Sequence, residues 1–276
     1  MALDSVTPKQ RLAMAVQAYF CAHEKRGGCH VGRVFSQLIG GLLVYCNQQV
    51  NRPTKSPGRI MRAFHFIDAN YGISNLSLKR LKISRFNQLN DPFELLAADL
   101  LDPRDRKALS DFKSALDATK GMICFSRSWS NPLLWGHYAE KHSGMALGFD
   151  IPDEYLSPVQ YTKQRSKVEF DKTTREIVDG PRLVDKLLRT KFVDWEYEDE
   201  QRMFVDLDPN SQEGGNHFVE FSKDLVLREV ILGLKCYLPV SRVRQLLKDE
   251  LTPIKVLKAG MALRAFKIIE DRSARI

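Results

Sequence analysis

Short runs of apolar residues and stretches in which apolar and polar residues alternate recur along the chain, and both patterns predict β-strands. Apolar residues at helical spacing lie between these stretches and predict helices. The clearest predicted strands are 62–66, 81–84, 122–126, 145–149 and 226–233, and the clearest predicted helices are 34–50, 108–118, 179–192 and 239–251. The pattern therefore predicts an α+β fold, with a mixed, mainly antiparallel sheet and flanking helices.

The stretch 124–150, CFSRSWSNPLLWGHYAEKHSGMALGFD, combines two predicted strands with a helix between them. Asn131 is suited to cap this helix, Pro132 to occupy its first position, and Gly144 to end it. On a wheel of about 100° per residue, one arc carries apolar and aromatic residues and the opposite arc carries His137. The first arc holds Leu134, Trp135, Tyr138, Ala139 and His142.

Two interpretations of this aromatic arc stay open. Trp135 and Tyr138 are either core anchors beside a buried His142, or the wall of a ligand pocket built from ring faces and an imidazole. Either way, the arc contains no acidic residue of its own. Any chemistry at this wall would need a carboxylate from another part of the chain.

A late acidic stretch, DWEYEDEQRMFV at 194–205, supplies candidate carboxylates. As a strand it would place Glu196, Glu198, Glu200 and Arg202 on one face, where crowded carboxylates can raise the pKa of one of them. As a helix it would pair Glu198 with Arg202 in an ordinary ion pair four residues apart. Both interpretations stay open.

The residues Asn90, Asp91 and Pro92 form a strong turn signal and predict a helix that starts at Pro92 and runs through Leu100. Capping this helix is one role for Asn90 and Asp91, and contact with a ligand is the other. Glu94 would lie in the first turn, where the helix dipole favours an acid.

The net charge of +8 on 276 residues is unevenly distributed. Residues 1–60 hold eight basic and two acidic side chains, a balance of +6, which leaves 8 − 6 = +2 for residues 61–276. The segment 51–59, NRPTKSPGR, has the composition of a linker. We therefore predict a basic N-terminal extension and linker at 1–60, either a small helical appendage or a segment without a fixed fold, and a single α+β domain at 61–276. Nucleic acid would bind through the extension, because the body is nearly neutral.

The five cysteines are widely spaced and contain no CxxC pair. An odd count without a secretory leader predicts free thiols and a cytoplasmic location. No apolar run is long enough to span a membrane, so no membrane partner is expected. Cys21, His23, Cys29 and His30 have a spacing that matches no standard zinc site, and no metal is predicted.

Five segments carry a resemblance to a known family. They are FHF around His65, LKISRFNQLNDPFE, the stretch 124–150, KFVDWEYEDEQR and REVILG, in this order. On these segments the chain from Met61 to Ile269 resembles a mostly bacterial family known as domain of unknown function 2971. Residues 1–60 have no counterpart in that pattern, and the family name implies no activity.

A weaker likeness connects the order of these segments to the ADP-ribosyltransferases. In those enzymes an early strand residue holds NAD, a central Tyr or Ser supports it, and a late Glu aligns the ribose. The likeness implies NAD as substrate, His65 on the early strand, Ser126 or Tyr138 in the centre, and Glu200 as the catalytic residue with Glu198 as its partner. The chain departs from the pattern because it has no clear Ser-Thr-Ser motif.

The first functional hypothesis is therefore an ADP-ribosyltransferase-like or NAD glycohydrolase-like effector, of a toxin or phage-defence type. The second is a nucleic-acid-acting effector in which Glu198, Glu200 and Asp91 gather a divalent cation, and the third is a ligand-binding module without catalysis. The oligomeric state stays open. The candidate ligand-binding residues are Asn90, Asp91, Ser126, Trp135, His137, Tyr138, His142 and Arg202.

Overall fold

A computed structural model describes residues 29–50, 58–171, 173 and 177–275. The helices of this part are α1 (Cys29–Val50), α2 (Ala69–Leu78), α3 (Pro103–Thr119), α4 (Pro132–Tyr138), α5 (Gly180–Arg189) and α6 (Val240–Leu246). Its strands are β1 (Ile60–Ile67), β2 (Arg80–Ile83), β3 (Ala98–Asp99), β4 (Lys120–Ser126), β5 (Met145–Pro152), β6 (Ser157–Pro158), β7 (Gln160–Thr162), β8 (Ser166–Lys167), β9 (Thr190–Phe192), β10 (Glu200–Asp206), β11 (His217–Glu220), β12 (Val226–Leu232), β13 (Lys255–Met261) and β14 (Ile268–Glu270). The predicted basic segment before residue 29 and most of the predicted linker lie outside the described residues.

Eight of the described strands form one sheet in the order β14-β13-β12-β5-β1-β4-β10-β6. Neighbours pair antiparallel except for β12 and β13, which run parallel. Shorter two-stranded pairs, β2 with β11, β3 with β8 and β7 with β9, lie beside it. The predicted α+β fold with a mixed, mainly antiparallel sheet is confirmed.

The centre of the sheet contains a gap between β1 and β4. Within the described residues these strands pair only where Phe64 meets Ser126, whereas β1 pairs with β5 along its whole length. Ser126 also meets Glu200 on its other side, in β10. The sheet thus brings the early strand, the central segment and the late strand to one place.

One hydrophobic core is built from α1, α3 and α5 against the sheet. Phe35 of α1 packs in the same buried cluster as Phe112 of α3 and Leu187 of α5. Gly41 of α1 permits this close packing, because a Cβ there would lie 2.6 Å from the backbone oxygen of Gly180. The helix Cys29–Val50 is therefore part of the core and not a separate appendage to it.

The helix predicted to start at Pro92 is not formed. Backbone N–H groups of Glu94 and Leu96 make short-range turn bonds, and Leu95 has a φ of 62°. Leu95 is fully buried, and the Glu94 carboxylate bonds to the distant Arg202. These tertiary contacts override the local helix signal.

The helix predicted to reach Gly144 ends at Tyr138, six residues earlier. Glu140, Lys141 and His142 have positive φ values of 48°, 52° and 73°, so the helical wheel no longer applies to His142. The carbonyl of His142 instead accepts from the Lys235 amide at 2.9 Å. Docking on the loop after β12 thus replaces the last helical turn.

The late acidic stretch is neither one strand nor one α-helix. Val193–Glu198 forms a 3₁₀-helix, Asp199 takes the left-handed conformation with a φ of 46°, and β10 starts at Glu200. The Asp199 carboxylate binds Arg127 at 2.7 Å, which holds this turn. None of the described helices is long and apolar enough to cross a membrane.

Candidate functional site

A cavity of about 570 Å³ lies where β1 and β4 diverge. This volume is within the range of about 300–1,000 Å³ that is usual for small-molecule sites. Its walls come from β1, β2, β4, α2, α4, β9 and β11, from the segment 88–94, and from the turn 198–200 at the end of the 3₁₀-helix. The lining includes six of the predicted site residues, namely His65, Asn90, Ser126, Tyr138, Glu198 and Glu200.

A buried network of charges forms one wall of this cavity. Arg202 is 1% exposed and binds the Glu94 carboxylate with two N–H groups, at 2.6 and 3.0 Å. Its Nε donates to Glu200 Oε1 at 2.9 Å, and another N–H donates to the Leu188 carbonyl at 2.7 Å. Arg202 therefore orients Glu94 and Glu200 from behind the wall.

Lys191 lies between the two predicted carboxylates. Its ammonium donates to Glu198 Oε2 at 2.6 Å and to Glu200 Oε2 at 3.3 Å, and it lies 4.8 Å from the centre of the Trp195 ring. All three charged groups are at most 7% exposed. One buried cation therefore holds both carboxylates on the same side of the turn at Asp199.

Tyr138 extends the network towards the solvent. Its hydroxyl donates a short hydrogen bond to Glu198 Oε1 and accepts from Asn90 Nδ2 at 3.0 Å. Burial and the neighbouring carboxylate raise the pKa of Tyr138 well above its usual range, so the phenol stays protonated and donates.

The network carries more negative than positive charge. Three carboxylates (Glu94, Glu198, Glu200) face two cations (Lys191, Arg202), which gives 2 − 3 = −1 when all are ionised. Although burial opposes ionisation, Arg202 and Lys191 lower the pKa of Glu200 to about 2. Burial raises the pKa of Glu198, and the charge of Glu200 raises it further. Glu200 is thus a fixed negative charge, whereas Glu198 is the group that exchanges a proton more readily.

His65 faces the cavity from β1. Its Nδ1 bonds to the Cys124 carbonyl at 3.0 Å, and since a carbonyl can only accept, the proton lies on Nδ1. Burial lowers the pKa of His65, so the ring is neutral and its Nε2 is a hydrogen-bond acceptor. The Cys124 thiol lines the same cavity, and burial together with Glu200 raises its pKa well above the usual value.

A second wall is rich in hydrogen-bond donors. Arg80, Lys82 and Ser84 follow one another at every second position of the β2 region and line the cavity, while Leu81 and Ile83 face the core. The alternation follows from the period of two in a strand. This wall places cations in the same cavity as the carboxylates.

Five predicted site residues do not line the cavity. Trp135 is fully buried, packs edge-on against Phe66 and Trp129, and donates from Nε1 to the Trp129 carbonyl at 2.7 Å. It is a core anchor, as one of the two sequence interpretations proposed. Arg202 lies behind the glutamates.

The other three predicted site residues that do not line the cavity are His137, His142 and Asp91. His137 is exposed on the outer side of α4 and stacks on Tyr197. His142 is half-buried on the turn after α4. Asp91 accepts from the Phe93 amide at 2.9 Å and thus stabilises a turn, although the helix expected there is absent. Of the pair at 90–91, only Asn90 reaches the cavity.

Sequence reasoning missed the residues that organise the carboxylates. Lys191 and Glu94 were not singled out as site residues, although both lie in segments that carry the family resemblance, KFVDWEYEDEQR and LKISRFNQLNDPFE. Lys82 also lies in the second of these segments, whereas Asn75 and Arg80 gave no signal beyond ordinary surface polarity. Membership of these segments was the one sign available for Lys191 and Glu94.

Comparisons with models of protein families, with curated proteins and with solved structures find no match to this chain. The resemblance to domain of unknown function 2971 therefore stays a prediction. A function for this chain is therefore inferred from the cavity itself.

Proposed function

We propose that the cavity is the active site of an enzyme that cleaves the N-glycosidic bond of a nucleotide such as NAD, as an ADP-ribosyltransferase-like or NAD glycohydrolase-like enzyme does. The observation that supports this proposal is that residues from distant parts of the chain converge on one cavity. His65, Tyr138 and Glu200 come from distant parts of the chain and line one cavity together with Glu198. These are the residues that the weak ADP-ribosyltransferase likeness assigns.

The charge of the buried network suits this chemistry. When the glycosidic bond of NAD breaks, nicotinamide leaves with the bonding electrons and the ribose carbon develops positive charge. Glu200, kept ionised by Arg202 and Lys191, would stabilise that charge without reorganising. The excess of one negative charge in the network also favours a substrate with a cationic ring.

Glu198 and His65 supply the complementary roles. Water or a target nucleophile attacks the ribose carbon and releases a proton, which Glu198 accepts because burial has already raised its pKa. Neutral His65 holds a ribose hydroxyl through Nε2. Tyr138 positions Glu198 by donating to Oε1.

The nuclease alternative has less support from this geometry. In that hypothesis Glu198, Glu200 and Asp91 gather a divalent cation. The Lys191 ammonium, however, binds both glutamates, and Asp91 bonds to the backbone of a neighbouring turn. Metal binding would require breaking two buried ion pairs.

The test is release of nicotinamide from NAD by the purified full chain. We expect Glu200→Gln, which keeps the shape of the side chain, to lower the rate by at least about 100-fold, while Glu154→Gln, an exposed control outside the cavity, keeps it. Circular dichroism and thermal unfolding would establish that both variants fold. A folded Glu200→Gln protein that cleaves NAD as fast as the parent would overturn the proposal.

A wild-type chain that binds NAD without cleaving it would favour the third hypothesis, a ligand-binding module. Calorimetric titration with NAD separates the two results, because binding and turnover are then measured on the same preparation.

A further inference from the structure

Three donor groups on the wall formed by α2 and β2 lack partners. Asn75 is 5% exposed and lines the cavity, yet its Nδ2 has no hydrogen-bond partner among the described residues. The buried Nε of Arg80 also lacks one. Lys82, exposed on the same strand face, makes neither an ion pair nor a hydrogen bond within the described part of the chain. An unpaired buried donor is costly and calls for an explanation.

All three groups can only donate, which defines the chemistry of their missing partner. An amide N–H₂, a guanidinium N–H and an ammonium have no lone pair to offer, so the partner must present several acceptor oxygens. Two of the three groups carry a positive charge, and charge-assisted bonds to oxyanions are the stronger kind. A phosphoryl group fits both requirements.

The surrounding acids do not fill this role, and Glu220, the cross-strand neighbour of Arg80, acts on its guanidinium through charge alone. Glu213 binds Arg80 through NH1 at 2.6 Å, but its side chain is 63% exposed, and the Nε of Arg80 stays unpaired. Asp68 lines the cavity too, but its Oδ1 accepts the backbone amides of Asn70 and Tyr71, each at 3.0 Å, and caps α2. The Arg80 guanidinium lies 3.8 Å above the Phe218 ring, which fixes its plane.

We propose that Asn75, Arg80 and Lys82 form a subsite for a phosphoryl group of the ligand. The wall of this subsite belongs to α2 and β2, whereas Glu198 and Glu200 belong to the segment around β10. The inference deepens the proposed function, because a nucleotide such as NAD carries a pyrophosphate joined to the ribose that reacts. The ligand would thus bind with its pyrophosphate at Lys82 and its reacting ribose at Glu200.

The experiment is calorimetric titration of the full chain with inorganic pyrophosphate, which contains no glycosidic bond. We expect Lys82→Ala to bind at least about tenfold more weakly than the parent. Lys223→Ala, which removes an exposed lysine outside the cavity, should bind like the parent. Because Lys82 has no partner among the residues that the structure describes, its removal should leave thermal stability unchanged.

Two further variants sharpen the test. Lys82→Arg keeps the charge and should restore binding, and Asn75→Asp replaces a donor with an acid of the same shape and should weaken binding at least about tenfold. Equal binding by Lys82→Ala and Lys223→Ala, or no binding of pyrophosphate to the parent, would overturn the subsite. Malonate that competes as well as pyrophosphate would overturn the phosphoryl assignment.

Binding of pyrophosphate is measured independently of the cleavage of NAD. Glu200→Gln removes a negative charge from the same cavity and should bind pyrophosphate at least as tightly as the parent, even where it no longer releases nicotinamide. Lys82-dependent pyrophosphate binding without any cleavage of NAD would support the subsite and reject the proposed reaction. Cleavage of NAD with binding insensitive to Lys82 would reject the subsite alone.

Discussion

Glu198 and Glu200 each present a carboxylate oxygen to the ammonium of Lys191, although one residue ends a 3₁₀-helix and the other begins a strand. The left-handed Asp199 between them turns the chain so that both side chains point to the same cation. Their environments nevertheless differ, because Arg202 binds Glu200 and Tyr138 binds Glu198. Two carboxylates with different proton affinities result.

Removing Lys191 should expose the repulsion between these carboxylates. We expect Lys191→Met to lower the free energy of unfolding by about 3–5 kcal/mol, since the change leaves buried charges without their partner. Urea denaturation at pH 7 measures this. The control Lys223→Met should stay within about 0.5 kcal/mol of the parent, and the deficit of Lys191→Met should shrink at pH 5 as Glu198 takes up a proton. A deficit that is the same at both pH values would contradict this account.

The low pKa of Glu200 makes stability depend on pH. Its pKa is about 2 in the folded protein and about 4.3 in an unfolded chain. A lowered pKa stabilises the fold above the unfolded value, so a contribution of about 3 kcal/mol is complete above about pH 5 and is lost as the pH falls towards 2.

Unfolding free energies of the parent and of Glu200→Gln, measured by denaturant at several pH values, test this expectation. The parent should lose stability more steeply than the variant between about pH 5 and pH 2. Parallel curves would show that Glu200 titrates normally in the fold.

The hydrogen bond from Tyr138 is expected to lower the pKa of Glu198. In Tyr138→Phe the ionised Glu198 loses a donor, so its pKa should rise further, and the loss of bonds to Glu198 and Asn90 should cost about 1–2 kcal/mol of stability. A carboxyl-carbon NMR titration follows the pKa directly. Tyr155→Phe, which removes a hydroxyl from a half-exposed ring outside the cavity, should leave that titration unchanged. An unchanged pKa in Tyr138→Phe would show that the hydroxyl does not act on Glu198.

Two adjacent glycines in α1 should respond in opposite directions. A Cβ at Gly40 meets nothing within 4 Å, whereas one at Gly41 would lie 2.6 Å from the Gly180 oxygen. Gly40→Ala should therefore stabilise the protein by about 0.5–1 kcal/mol through helix propensity. Gly41→Ala should destabilise it by about 1–3 kcal/mol through overpacking. Thermal unfolding of the pair tests whether Cys29–Val50 belongs to the core, because a detached helix would gain from both changes.

Local patterns were sufficient for much of the fold. The strands around His65, at 122–126 and at 145–149 follow from alternation and apolar runs, and Asn131 caps α4 as expected. These features depend on residues that are neighbours in the chain, so a single sequence contains the information. The α+β class follows from them.

Secondary structure predicted from local sequence was wrong where a segment makes contacts with residues far away in the chain. The strong helix signal at Pro92 was overridden because Leu95 enters the core and Glu94 binds Arg202, which is 108 residues away in the chain. The helix of Tyr138 likewise stops early, because His142 docks on the loop after β12. Backbone preferences of about 1 kcal/mol per residue yield to such contacts.

The sequence by itself supplied a set of eleven candidate site residues, among them His65, Tyr138, Glu198 and Glu200. Only the tertiary structure decided that these four share a cavity, that Trp135 is core, and that Lys191 and Arg202 set the charge of the glutamates. The physical reason is that pKa values and ligand geometry depend on burial and on distances of about 3 Å between atoms. Such distances arise from how the strands pair, and no local pattern in the chain encodes them.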